Sequence, residues 1–310
     1  MRALVTGACG FVGGYLVRHL AESGDKVCAT MLATTLKLPA VESKVLDVCD
    51  SAACHEALKS FAPEVVYHLA GLAFPPDAEK DFSRTLAINV GGTYNVIEAC
   101  HKLGTKIRVV LVSSAQVYGK SSAEEQPLVE TTAIRPADAY SLSKVMTENV
   151  ALKFAADRNL SIVTMRPFNH IGAGQRQDFV VSNFAYQLAR IAKGKHEPII
   201  KIGNLTSKRD FTDVRDIARG YRLAALKGQG IYNLCSGSPV SIREILDRLI
   251  AISGLSVTIE EDPSRMRASD TPVLYGSYEK AKAELGWKPE YSLETSLRDS
   301  YTYWMASEAL

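Results

Sequence analysis

Short apolar runs alternate with longer amphipathic stretches through the first half of this chain. Runs at residues 2–6, 26–30, 64–69, 108–112 and 161–166 have the length and composition of buried strands. Between them, residues 14–23, 50–60, 81–103 and 139–158 place apolar side chains at helical spacing, as at Leu16, Val17 and Leu20. Strands and helices in strict alternation form βαβ units, so the predicted class is α/β, a doubly wound parallel sheet covered on both faces. After Arg166 the pattern changes. Residues 168–211 hold a Gly-rich loop, a helix at about 179–193 and a short strand at 198–202, and a second helical section begins at 241–254. The expected organisation is a first domain over residues 1–166, with 212–236 returning to it, and a smaller lobe from 167–211 and 237–310. That lobe caps the carboxyl ends of the strands, where ligands bind in open α/β sheets. The polar stretch 120–137 has the length of an active-site border.

Composition narrows the function classes. The chain has 310 residues, 46% hydrophobic, with a formal net charge of +2, enough for a sizeable core in one or two domains. Lys and Arg are spread along it, without the basic stripe that binds nucleic acid. No apolar run approaches the ~18 residues of a membrane span. With a strand starting at residue 2, no signal peptide is expected, and the expected location is the cytoplasm. The six cysteines, at 9, 28, 49, 54, 100 and 235, show neither Cys-x-x-Cys pairs nor zinc spacing with histidine, and read as small buried hydrophobes. His68 and His170 lie near strand ends without partners at ligand spacing, so no metal site is expected.

The first strand runs into Gly7-Ala8-Cys9-Gly10-Phe11-Val12-Gly13 and then into a helix. Glycine serves where the backbone takes positive φ or approaches a pyrophosphate closely, and a helix start offers free N–H groups to that anion. Gly7, Gly10, Phe11, Val12 and Gly13 are therefore candidates for holding a dinucleotide in a Rossmann-like domain, although the spacing is Gly-x-x-Gly-x-x-Gly.

Further along, Tyr140 and Lys144 stand four residues apart on a predicted helix. That spacing puts phenol and ammonium on one face, about 5–6 Å apart at their β-carbons. A nearby positive charge favours the phenolate, which predicts a general acid/base working near neutral pH.

Taken together, Gly7-x-x-Gly10-x-x-Gly13, His68-Leu69-Ala70-Gly71, Asn89, Ser113-Ser114, Tyr140-x-x-x-Lys144 and Arg166-Pro167-Phe168-Asn169 resemble the extended short-chain dehydrogenase/reductases that act on nucleotide sugars. The resemblance covers essentially the whole chain. It implies that Ser114 hydrogen-bonds the substrate oxygen, Tyr140 exchanges the proton, and Lys144 tunes the tyrosine while holding the nicotinamide ribose. It also implies cofactor contacts from Asp47 and Val48, from Leu69, Ala70 and Gly71, from Asn89 in a direct or structural role, and from Pro167. Relatives pair through the helices at 81–103 and 139–158, which implies a homodimer.

Within that family, dehydratases carry a carboxylate two residues beyond the serine, where it removes a carbon-5 proton. Here that position is Gln116, which cannot be that base. The runs 166–175, 178–185 and 209–216, with 262–267 and 286–289, resemble the reductases of GDP-4-keto-6-deoxy-mannose that form GDP-D-rhamnose. A GDP-sugar substrate is implied, with Gln116, Asn169, Val180, Asn183, Arg209 and Arg267 about it, the arginines suiting a diphosphate. Arg265 and Lys193 read as evenly balanced between this role and a solvated surface charge. The end of the second strand, Ala29-Thr30-Met31-Leu32, offers no carboxylate for an adenosine ribose, which favours NADPH over NADH. No arginine takes its place and Lys37 is the nearest base, so use of both remains open. Two other readings stay in view: a nucleotide-sugar 4-epimerase retaining NAD, and a reductase giving GDP-6-deoxy-D-talose. Dinucleotide-sensing regulators of this fold lose the tyrosine or the lysine, and both are present here.

One prediction follows from Gln116. Given GDP-mannose and oxidised cofactor, the protein should form little or no 4-keto-6-deoxy product by NMR; efficient dehydration would mean that another residue supplies the base.

Overall fold

The computed structural model describes residues 1–33, 38–104, 106–158, 160–265 and 271–308. Its first half contains β1 (Arg2–Thr6), β2 (Lys26–Met31), β3 (Val41–Val45), β4 (Val65–His68), β5 (Arg108–Val112) and β6 (Ile162–Pro167). Between these run α1 (Phe11–Glu22), α2 (Ser51–Phe61), α3 (Pro75–Lys80), α4 (Phe82–Thr85), α5 (Gly92–Lys102) and α6 (Ala139–Arg158). The second half holds β7 (Asn169–Ile171), α7 (Val180–Ala192), β8 (Ile199–Ile202), β9 (Lys208–Asp213), α8 (Val214–Lys227) and β10 (Gly230–Leu234). It ends with β11 (Pro239–Ser241), α9 (Ile242–Ser253), β12 (Thr258–Glu261), β13 (Val273–Leu274), α10 (Glu279–Leu285) and α11 (Leu293–Ala306).

Side chains alternate across each strand, and that period of two sorts the core into two layers. Val5, Val110, Val163 and Met165 face α1 and α8, packing on Leu16, Leu20, Ile217 and Tyr221. Leu4, Val66, Val109 and Leu111 face the opposite way, onto Leu58, Phe61, Ile97 and Phe154 of α2, α5 and α6. Each such buried side chain contributes about 1.5–3 kcal/mol. The result is a sheet in the order β10-β6-β5-β4-β1-β2-β3, parallel throughout. Successive strands run one way from β1 and the other way from β4, so the crevice where strand order reverses opens above the ends of those two.

β10 joins this sheet beside β6, although it follows much of the second lobe in sequence. That lobe has its own core, in which α7, α9 and α11 bury Phe184, Leu188, Leu246, Leu297 and Trp304 against Ile200 of β8. A capping box between Ser241 and Glu244 starts α9.

Three features differ from the sequence reading. β3 is an edge strand whose alternation is broken by Glu42, Ser43 and Lys44, so its apolar signal is too thin to stand out. The single helix expected at 81–103 is divided into α4, a π-helical turn at Leu86–Gly91, and α5, with α3 ahead of it. Finally, Cys9 and Cys49 are exposed; burial holds only for Cys28, Cys54, Cys100 and Cys235.

Candidate active site

At the end of β1 the chain turns at Gly7 with φ +69. A β-carbon there would lie 2.8 Å from the Ala70 nitrogen, and one at Gly13 would lie 2.3 Å from the Gly7 carbonyl oxygen. Only glycine fits either place. Gly10 begins α1 without a side-chain cap, so the first N–H groups of the helix stay free and its positive dipole end faces the turn. The turn therefore fits a pyrophosphate.

One cleft extends from this turn across the carboxyl ends of the strands to the second lobe. Gly7, Gly10, Phe11, Val12 and Gly13 line it at one end, with Asp47 and Val48 beyond them and Leu69, Ala70 and Gly71 opposite. Ser114, Gln116, Tyr140, Lys144 and Pro167 line its middle, and Asn169, Val180, Asn183 and Arg209 its far wall. Arg267 and Lys37 lie outside the described residues.

Asn89 stands behind the wall, 1% exposed, in the π-helical turn. Its side chain accepts from Leu72 N at 2.7 Å and donates to the Ser143 hydroxyl at 2.9 Å, and Ser143 in turn donates to the Tyr140 carbonyl at 2.7 Å. The Asn89 carbonyl accepts the Thr93 hydroxyl at 2.5 Å, and Thr93 Oγ1 lies 3.0 Å from His68 Nε2. On the other side of the ring, His68 Nδ1 lies 2.8 Å from Thr6 Oγ1, which also accepts from the Leu69 and Ala70 nitrogens. Because Thr6 Oγ1 already accepts two N–H bonds, its proton goes to Nδ1, leaving the Nε2–H tautomer to donate to Thr93. Burial, with the nearby Lys144 charge, lowers the His68 pKa to about 3. The ring is a neutral strut.

Tyr140 sits at the start of α6, where Asp138 accepts from Ser141 N at 2.7 Å and Ser141 Oγ accepts from Ala137 N and Asp138 N, each at 3.0 Å. Burial raises its pKa to about 12, partly offset by the Ser114 hydroxyl. The loss of water runs against the expected pull of the Lys144 charge. The Lys144 ammonium lies 5.9 Å from the ring centroid and is held instead by the Val112 carbonyl at 2.9 Å, so desolvation of the phenol outweighs its attraction. Lys144 is lowered to about 8 by the same burial, against the pull of Glu148. A phenol that keeps its proton, beside a mostly protonated amine at neutral pH, is arranged to donate.

The Ser114 hydroxyl caps the short 3-10 helix Ala115–Tyr118, accepting from Gln116 N at 3.2 Å, and it lies on the Tyr140 side of the cleft, where it favours the phenolate. Around it, Asp47, Asp77, Glu79, Asp138, Asp178 and Asp262 are the carboxylates lining the cleft among the described residues. Each already serves the fold: Glu79 accepts from Ala139 N at 2.9 Å, Asp77 and Asp178 pair with Arg176, and Asp262 pairs with Arg265. Asp47 accepts from Cys49 N.

On the far wall, Asn183 accepts from Arg265 at 2.6 Å and Gln187 at 2.8 Å while donating to the Gln177 carbonyl. Its effect is to aim Arg265, which lines the cleft. Sequence reasoning left Arg265 and Lys193 each evenly balanced between a diphosphate role and a surface charge; Lys193 bonds the Ser307 carbonyl. Arg209 lines the cleft with its guanidinium on the Lys208 and Thr271 carbonyls, at 2.8 and 2.7 Å.

A glycine cradle at the switch point and a Ser, Tyr and Lys set across the cleft from it define an extended short-chain dehydrogenase/reductase. Residues 4–300 match the family model described as GDP-mannose 4,6 dehydratase, and the chain belongs to that family. It is 33% identical, over 98% of its length and 97% of the relative's, to the GDP-6-deoxy-D-mannose reductase of Pseudomonas aeruginosa. Its structure is similar to that of RMD from Pseudomonas aeruginosa complexed with NADPH, with a TM-score of 0.86, 30% identity and 99% coverage of both chains. It is also similar to the Thermus thermophilus UDP-glucose 4-epimerase complexed with NAD, with a TM-score of 0.89, 26% identity, and 99% and 100% coverage. No described helix is long and apolar enough to cross a membrane.

The neutral strut carries a stability prediction. The folded His68 pKa is about 3 against an ordinary 6.5, so its contribution is full above pH 6.5 and is lost as pH falls toward 3. Between pH 7 and pH 5 the loss is about 2 kcal/mol. Urea unfolding at both pH values should show the wild type losing about that much more stability than His68→Asn. Equal losses would mean that His68 is not held neutral.

Proposed function

We propose that this protein reduces the 4-keto group of GDP-4-keto-6-deoxy-D-mannose to GDP-D-rhamnose. The observation that carries the reading is the protonated Tyr140 phenol beside Ser114 and Lys144 in one cleft, with an amide rather than a carboxylate at Gln116. When bound, the nicotinamide supplies the hydride. Ser114 donates a hydrogen bond to the carbonyl oxygen, and Tyr140 gives that oxygen its proton as negative charge develops there. Lys144 orients the ribose and draws the phenolate charge left behind. Similarity to a GDP-6-deoxy-D-mannose reductase supports the nucleotide and the sugar.

NADPH is the preferred reductant in this reading, with NADH also accepted. Where an NAD enzyme places an acidic side chain at the end of β2, Met31, Leu32 and Ala33 line the cleft. Gly7, Gly10, Phe11, Val12 and Gly13 cradle the pyrophosphate, while Asp47 and Val48 meet the adenine end. Leu69, Ala70, Gly71 and Pro167 border the nicotinamide half, with Asn89 supporting the wall. Arg209 and Arg265 take the sugar diphosphate, joined by Arg267 if it follows the family pattern. The exposed side chains Phe82 and Tyr94, together with Leu142, Met146 and Leu152 on α6, support pairing of two copies through these helices. The setting is the cytoplasm, as for the sequence reading.

Supplied with GDP-4-keto-6-deoxy-D-mannose from a separate dehydratase, the protein should oxidise one NADPH or NADH per sugar and yield GDP-D-rhamnose by NMR. Tyr140→Phe should lower kcat at least about a hundredfold, with cofactor affinity nearly intact. GDP-6-deoxy-D-talose as product would correct the stereochemistry. Turnover of a UDP-hexose with tightly retained NAD and no net redox change would replace the reductase by an epimerase.

A further inference from the structure

One helical turn beyond Lys144, Glu148 is 3% exposed and pairs with Arg166, itself 2% exposed. One carboxylate oxygen accepts Arg166 Nε at 2.9 Å, and the other accepts Nη2 at 2.7 Å. Arg166 also donates to the Tyr118 hydroxyl at 3.0 Å and the Glu130 carbonyl at 3.1 Å. A buried ion pair seldom stabilises a fold more than apolar side chains of the same size, so the pair calls for another explanation. The first carboxylate oxygen supplies one, because it also accepts the Ser113 hydroxyl at 2.5 Å. Ser113 lies between Val112, whose carbonyl holds the Lys144 ammonium, and Ser114, whose hydroxyl acts on the Tyr140 phenol.

We propose that Glu148 is a positioning residue of the catalytic centre, locking residues 112–114 at the end of β5 to α6 through Ser113 and so setting Ser114 and Lys144 against Tyr140. Arg166 holds the carboxylate in place through both of its oxygens. The tie joins two elements that carry different catalytic groups, and Glu148 touches neither substrate nor cofactor.

Lys144 faces Tyr140 and Glu148 from its own helix, the neutral His68 from β4, and Arg166 from β6 behind Glu148. Asp138 stands near Tyr140 at the start of α6. Replacing Glu148 by glutamine removes the negative member and leaves Arg166 uncompensated, which favours the neutral amine on Lys144. Replacing Ser113 by alanine cuts the tie but leaves the charges as they were.

The kinetic arm rests on the proposed reductase reading; a second arm needs no substrate. Ser113→Ala should lower kcat about tenfold, the equivalent of one hydrogen bond to a charged group, with KM within about twofold. Adding Glu148→Gln to Ser113→Ala should deepen the kcat loss much less than the product of the two single losses. In the substrate-free arm, the pH dependence of Lys144 acetylation by acetic anhydride is read by mass spectrometry. The wild-type midpoint near 8 should fall by about one unit in Glu148→Gln and stay in place in Ser113→Ala. Unchanged kcat in folded Ser113→Ala overturns the positioning role, and this holds even where Glu148→Gln fails to fold. An unmoved Lys144 midpoint in folded Glu148→Gln overturns its hold on the ammonium. If wild-type protein turns over none of the sugars, the reductase reading fails and the tie is judged by the rate of Lys144 acetylation well above its midpoint: faster reaction in Ser113→Ala than in wild type, as the Val112 carbonyl loosens its hold, supports the proposal, and an equal rate overturns it.

Discussion

A chain of hydrogen bonds from Thr6 to Tyr140 is the constraint on which the rest of the site depends. It passes through His68, Thr93, Asn89 and Ser143, crossing from β1 to β4, into the π-helical turn and on to α6. Thr6 ends the strand that leads into the glycine turn, and Tyr140 stands at the start of α6. A dinucleotide held at one end must present its reactive ring at the other, so the separation of these two elements sets whether hydride and proton can reach one carbonyl. Every link is buried, and an unpaired polar group there costs about 1–3 kcal/mol, which holds the register tightly. The π-helical turn puts Asn89 within reach of both the Leu72 backbone and Ser143.

The same burial decides the electrostatics. Water excluded from the base of the cleft pushes the Tyr140 phenol up to about 12 and the Lys144 ammonium down to about 8. Both shifts move the pair toward neutrality, yet at neutral pH the phenol keeps its proton and the amine stays mostly charged. Gln116 adds no charge to the cleft. The carboxylates lining it among the described residues are bonded to backbone N–H groups or paired with arginines.

Much of this was legible in the chain. The glycine turn, Ser114, Tyr140 and Lys144 are marked by residue type and spacing, because their roles demand particular chemistry at particular intervals. The interior strands are legible because burial on both faces makes them continuously apolar. β3 lies at the edge and lacks that signal. The π-helical turn is invisible to a 3.6-residue period, since one widened turn barely disturbs it. Arg265 stood at even odds because its partner Asn183, which fixes its guanidinium, is distant in sequence. Spacing reports the Lys144 charge beside the phenol but not the loss of water that opposes it. Glu148 and Ser113 are ordinary residues until the fold brings them to 2.5 Å.

The central claim is that hydride from a bound nicotinamide and a proton from Tyr140 meet at carbon-4 of a keto sugar. It is tested most directly with NADPH dideuterated at nicotinamide carbon-4 and GDP-4-keto-6-deoxy-D-mannose in ordinary water. The account predicts one deuterium at carbon-4 of the GDP-6-deoxyhexose, by NMR and mass spectrometry, for each cofactor oxidised. A product without deuterium at that carbon, or a sugar interconverted while the reduced cofactor stays unconsumed, would contradict it.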